Sequence, residues 1–263
     1  MDDLRAFGIE IEFLGDPREL VQQLAYQGVP CFRTDYSHDV LSCWKIVSDR
    51  SLNTRRVDNR YHLDGCELVS PPMTRADLPV LRRVCTALAA SSSYVDASCG
   101  LHVHLNAADL DVPDVKRLLI EYTSSQTAID RLLPPSRRRG ANPYCVSYNP
   151  GWLKTRLATA RSLMDVSALL PDRYRCVNLQ SFPRFGTIEF RQHPGTIEYV
   201  KIVSWIRLCQ ALVRSAVEAR PLGRRVGAFL ESLNLSLEDR EFFLRRAVHF
   251  NPGVPARTLG VEF

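Results

Sequence analysis

Six side chains in this sequence are of types that hold a cation: Glu10 and Glu12 in FGIEIEF, Glu67 in CELVSPP, His102 and His104 in GLHVHLN, and Glu189 in TIEFR. Five of them stand beside apolar residues in strict alternation. On a strand, successive side chains point to opposite faces, so Ile9, Ile11 and Phe13 share one face while Glu10 and Glu12 share the other. Leu101, Val103 and Leu105 part from His102, His104 and Asn106 in the same way, and Ile188 and Phe190 part from Glu189 and Arg191.

A single EIE is most simply a strand with its polar side in water. Water-facing sheet surfaces usually carry Thr, Lys, Gln and Ser, whereas these positions are Glu, His, Asn and Arg, the composition of a coordination shell. Carboxylates grouped without counter-charge repel one another and take up protons unless a cation sits among them. Several carboxylates with one or two imidazoles and no thiolate suit a hard ion, Mg²⁺ or Mn²⁺. Zinc competes, because an HxH pair plus one Glu makes a three-ligand set. Arg191, on the face of Glu189, adds an anchor for phosphate. The sequence contains no GxxxxGK[ST], GxGxxG or HExxH, so ATP, if bound, is expected through metal-bridged phosphates over a sheet.

The elements that must present these residues follow from periodicity. Strands are expected near 29–34, 43–48, 66–70, 176–180 and 187–191, besides FGIEIEF and GLHVHLN. Apolar spacing predicts helices at 75–90, 112–133, 198–219, 224–233 and 237–248, and Asp16 before Pro17 predicts a capped helix over 17–26. The polar stretch 48–65 reads as a hairpin connection or excursion. Segment 134–151, with Arg137, Arg138 and Arg139, reads as a functional loop that orders on binding a ligand.

At 263 residues, 45% hydrophobic, the chain is long enough to bury a site. No apolar run approaches the ~20 residues of a membrane span, and MDDLRAFG has neither a basic nor an apolar leader region, so a cytoplasmic protein with no membrane partner is expected. The eight cysteines are scattered without a CxxC and are read as reduced, mostly buried thiols. Net charge is +5, and only four of the 34 basic residues are Lys, a modest excess that favours an anionic ligand. Lacking a basic helical stripe, zinc-finger spacing or an RNP-like strand, the chain is not expected to bind nucleic acid.

FGIEIEF, the tract Trp44 to Leu52, Glu67-Leu68-Val69-Ser70-Pro71, GLHVHLN, Val177-Asn178-Leu179 and TIEFRQHPGT follow one another in the order seen in the amidoligase family. The chain resembles that family over about residues 6–210, and the family is similar in its catalytic core to glutamine synthetase and glutamate–cysteine ligase. The resemblance implies an α+β fold with a curved antiparallel β-sheet of the glutamine-synthetase catalytic type and packed helices. It implies one catalytic domain over 1–263, with a C-terminal helical extension from about 220. It further implies divalent ions, Mg²⁺ or Mn²⁺, that bridge ATP phosphates and are held by Glu10, Glu12, Glu67, His102, His104 and Glu189. Arg191 and Asn178 would then face the nucleotide, with Arg175 as a second phosphate arginine, and Asp49 would bind or deprotonate an incoming amine. Where glutamine synthetase continues with an acidic segment, this chain has Gln192-His193-Pro194-Gly195-Thr196, so the substrate end is not carried over. The implied activity is ATP-dependent joining of a carboxylate to an amine through an acyl phosphate, with small-molecule, peptide or protein substrates. A metal-dependent hydrolase using the same acids and a non-catalytic nucleotide- or nucleic-acid-binding module are the alternatives.

Overall fold

The computed structural model describes residues 5–34, 42–52, 55–56 and 62–260, with backbone alone at 55–56 and 62–63. They fall into two compact units, one drawn from 1–104 and 194–203, the other from 105–193 and 204–263. No helix among the described residues is long and apolar enough to cross a membrane.

In the first unit, β1 (Phe7–Gly15) buries Phe7, Ile9, Ile11 and Phe13, as the alternation requires. Helix α1 (Pro17–Tyr26) starts where expected: Asp16 accepts the Arg18 amide at 2.8 Å and Pro17 fills the first turn. Then come β2 (Cys31–Arg33), β3 (Trp44–Ser48), β4 (Arg55–Arg56), β5 (His62–Val69), α2 (Leu78–Ala90) and β6 (Gly100–Asn106). The strand order is β2-β3-β5-β1-β6, with β4 paired to β5. β5 runs antiparallel to β1, β3 and β4, but β2 joins β3 in parallel, so the sheet is mostly rather than wholly antiparallel. The polar stretch 48–65 lies partly outside the described residues. Register aligns Ile46, Leu68 and Ile11 in one row of the apolar face, and all three are fully buried. Leu20 and Leu24 of α1 and Leu81, Val84 and Leu88 of α2 are buried with them.

The second unit holds α3 (Val112–Ser124), α4 (Gln126–Arg131), α5 (Pro150–Leu157), α6 (Leu163–Leu169), β7 (Val177–Asn178), α7 (Phe182–Phe185), β8 (Thr187–Pro194), most of α8 (Tyr199–Val217), α9 (Val226–Ser232), α10 (Leu237–Phe250) and α11 (Ala256–Leu259). The helix expected over 112–133 is broken at Ser125, whose buried hydroxyl accepts Arg224 Nη1 at 2.6 Å. The strand expected at 176–180 shrinks to two residues because Asn178 Oδ1 turns back to accept the Gln180 amide at 2.8 Å. Tyr122, Phe190, Trp205, Phe229 and Phe243 are fully buried at the core of this unit.

Segment 134–151 is turn and irregular backbone for most of its length, but its arginines are not alike. Arg137 ends a short 3₁₀ turn and is 2% exposed, Arg138 donates to the carbonyls of Leu133 and Phe250, and only Arg139 is exposed. The Arg137 carbonyl and Asp130 accept the side-chain amide of Gln192 at 3.1 and 2.8 Å, while Gln192 Oε1 accepts Tyr122 and Gln126. Two of the three arginines are thus engaged by the fold itself.

Candidate metal centre

Antiparallel pairing sets Glu12 of β1 directly opposite Glu67 of β5, with Glu10 one row along on the same face. Like charges in directly opposed positions are destabilising in a sheet. His102 of β6 answers part of this charge: its Nδ1 lies 3.0 Å from Glu10 Oε2 and 3.8 Å from Glu67 Oε1, and its Nε2 lies 3.4 Å from Glu12 Oε1. His104 Nε2 stands 3.2 Å from Glu10 Oε1. The Gly100 amide donates to the other Glu12 oxygen. Glu10, Glu12, Glu67, His102 and His104 are therefore brought into one group.

The carboxylates do not share the charge evenly. Burial pushes the Glu67 carboxyl well above its ordinary range, and the neighbouring Glu10 and Glu12 push it further, with Asp49 adding to the rise. Burial acts the same way on Glu10, but the charge of His104 and hydrogen bonds from His102 and His104 outweigh it and hold Glu10 well below that range. Burial and the three acids around it together make Glu67 the member of the group that most disfavours a charge.

A divalent ion would offset that charge. Glu10, Glu67 and His102 each offer a ligand atom, and those atoms lie within 4.8 Å of one another. Carboxylate oxygens with imidazole nitrogen and no thiolate fit a hard cation. A consequence is open to measurement. Because the folded pKa of Glu67 is raised, its penalty on stability is absent below the unfolded value, about 4.3, and grows as pH climbs through the folded one. In EDTA at pH 8, Glu67→Gln is expected to melt above wild type by roughly 2–4 °C for each kcal/mol relieved, and the two should converge towards pH 4. Scanning calorimetry over that pH range checks it.

In the second unit, Asn178 lies opposite Glu189 across the β7–β8 pair, and its side-chain amide donates to Glu189 Oε2. Arg191 Nη1 pairs with Glu189 Oε1, and its Nε reaches the Tyr144 carbonyl at 3.4 Å. Asn178, Glu189 and Arg191 are 3%, 4% and 6% exposed. Arg175 has an acid of its own: its Nε meets Asp172 at 2.8 Å and its guanidinium stacks over the Tyr148 ring at 4.8 Å.

Asp49 sits in a turn of the first unit where its carboxylate accepts the Ser51 amide at 2.8 Å and its own amide donates to the Gly65 carbonyl at 2.8 Å. An ideal Cβ on Gly65 would stand 2.5 Å from the Asp49 carbonyl oxygen and 2.8 Å from Leu52 Cβ. Gly65→Ala is therefore expected to destabilise the protein by about 1–3 kcal/mol as the turn is forced outward, measured by urea unfolding. Ser70 extends the pairing: its hydroxyl accepts the Ile9 amide at 2.9 Å and its amide donates to the Ile9 carbonyl.

One residue escaped the sequence reading. Register places Lys45 of β3 in the row of Val69 and Glu10, on the acid face, where it is 5% exposed. The signal was present, since in WKIVS the alternation sets Lys45 apart from Trp44 and Ile46. All eight cysteines are free, and six are buried.

The family model described as "Putative amidoligase enzyme" matches residues 3–213. No curated protein matches the chain. The match spans both groups of acids and every stretch of alternating Glu, His and Arg that frames them, and it covers most of the chain. The chain belongs to the amidoligase family.

Proposed function

We propose that this protein is an ATP-dependent carboxylate–amine ligase whose sheet is of the curved glutamine-synthetase catalytic type, the whole chain serving as one catalytic domain. The observation that carries the reading is the direct opposition of Glu12 and Glu67 beside Glu10 and His102, an arrangement that charges itself unfavourably unless a cation is taken up. Mg²⁺ or Mn²⁺ would be held by Glu10, Glu12, Glu67 and His102, with His104 and Glu189 as further ligands. Bound there, such ions supply neutralisation of phosphate charge.

The chain's own residues account for the rest. Arg191, fixed by Glu189 and Tyr144, offers a guanidinium to the transferring phosphoryl group, and Asn178 holds the Glu189 carboxylate in place. Arg175 is assigned as a second phosphate contact. An oxygen of the acid substrate attacks the γ-phosphorus, the bond to ADP breaks, and an acyl phosphate results. The amine nitrogen then attacks the acyl carbon, inorganic phosphate leaves, and Asp49 accepts the proton that the nitrogen loses.

The test is an ATP-to-ADP assay with Mg²⁺ against pooled acids and amines, with products read by mass. Formation of ADP, phosphate and a product lighter by one water than the sum of its acid and amine is expected. Zinc-supported hydrolysis that proceeds without ATP would overturn the ligase.

A further inference from the structure

The second unit carries a cationic cleft lined by none of the residues assigned above. A hollow of about 360 Å³, at the small end of the roughly 300–1,000 Å³ typical of ligand pockets, is lined by Thr127, Arg131, Arg224, Arg225, Val226 and Thr258. Thr127 and Arg131 lie four residues apart on α4 and so share one face of that helix. Val226 begins α9 with Arg225 at its N-cap, and Thr258 belongs to α11.

The cleft is shaped by backbone. Any Cβ on Gly227 would collide with the Gly260 carbonyl, and Gly260, at φ 72°, holds the left-handed conformation that ends α11. Two glycines thus let α11 close on the start of α9, which brings Thr258 to the wall. Arg224 is held in place by Ser125 Oγ at 2.6 Å, the Glu121 carbonyl at 3.3 Å and the Glu121 carboxylate at 3.1 Å.

Of the three guanidiniums in the lining, that of Arg224 is the one paired with a carboxylate among the described residues. Among the described residues, neither Arg131 nor Arg225 forms a side-chain ion pair, and Arg131 Nη1 is buried without a hydrogen-bond partner. A buried donor on a cation is costly to leave unmet, and like charges around one cavity add to that cost. The uncompensated charge is close to +2, and a phosphate monoester carries about −1.5 to −2 at neutral pH with acceptor oxygens suited to guanidinium forks. We propose that the cleft formed by α4, α9 and α11 is a binding site for a small phosphate-bearing dianion.

Titration calorimetry with inorganic phosphate, in EDTA and at ionic strength held constant with NaCl, tests this without ATP, metal or turnover. Its outcome is therefore separate from that of the ligase reading. Saturable binding of one phosphate per chain is expected, and Arg131→Gln and Arg225→Gln should each weaken it by about tenfold or more. Arg225 is exposed, so its variant keeps the test valid if Arg131→Gln fails to fold. Absence of saturable binding at tens of millimolar, or equal binding by wild type and a folded variant, overturns the proposal.

Discussion

Glu12→Gln is expected to lower the rate of ADP formation by at least about a hundredfold while leaving the metal-free protein as stable as wild type or more so. Glutamine keeps the shape of the side chain and an oxygen to accept the Gly100 amide. It removes one negative charge from a buried position directly opposite Glu67, so one of the charges that push the Glu67 carboxyl up is gone. What is lost is a carboxylate ligand in the group that charges itself unfavourably without a cation. Thermal melts with and without Mg-ATP, run beside an ADP assay, separate the two effects. Full turnover in Glu12→Gln, or wild type that gains nothing from Mg-ATP, would remove the ligase reading.

Glu189 does not allow so clean an experiment. Its two oxygens are engaged by Arg191 and Asn178 in a buried setting, so Glu189→Gln leaves the Arg191 charge without its acid. Breaking a buried pair from one side costs about 3–5 kcal/mol. A drop in activity there would mix chemistry with unfolding, whereas at Glu12 it would not.

Those two environments mark how far the sequence could be read. Alternation in FGIEIEF, GLHVHLN and TIEFR assigned each side chain to a face, because strand geometry has a period of two and needs no knowledge of neighbours. The register that places Glu12 against Glu67, or Asn178 against Glu189, is a long-range property and left no local trace. The apolar stripe of 112–133 ran straight through Ser125, and the partner that accompanies the break, Arg224, is 99 residues away. Helices α5 and α6 went unread although Asn149 caps the Trp152 amide and Ser162 with Asp165 forms a capping box, both recognisable signals. Three consecutive arginines looked alike in sequence, yet Arg137 is enclosed and Arg139 is not, since enclosure depends on where Gln192 and Tyr122 bring the chain together.

Arg191→Lys is expected to cost about a hundredfold in kcat while costing much less stability than Arg191→Gln. Lysine retains a positive charge beside Glu189, so the buried carboxylate still has a counter-ion, and melting should follow the order wild type, Arg191→Lys, Arg191→Gln. The ammonium is a single point on a flexible stem. It cannot face Glu189 with one nitrogen, reach the Tyr144 carbonyl with another and still present a planar edge to phosphate. If Arg191 serves only to balance Glu189, Arg191→Lys should restore activity as well as stability. If it grips the transferring phosphoryl group, Arg191→Lys should rescue the melt but not kcat, and KM for ATP should change less than kcat because the contact strengthens as charge develops in transfer. Activity that tracks stability across wild type, Arg191→Lys and Arg191→Gln would reduce Arg191 to a structural counter-ion.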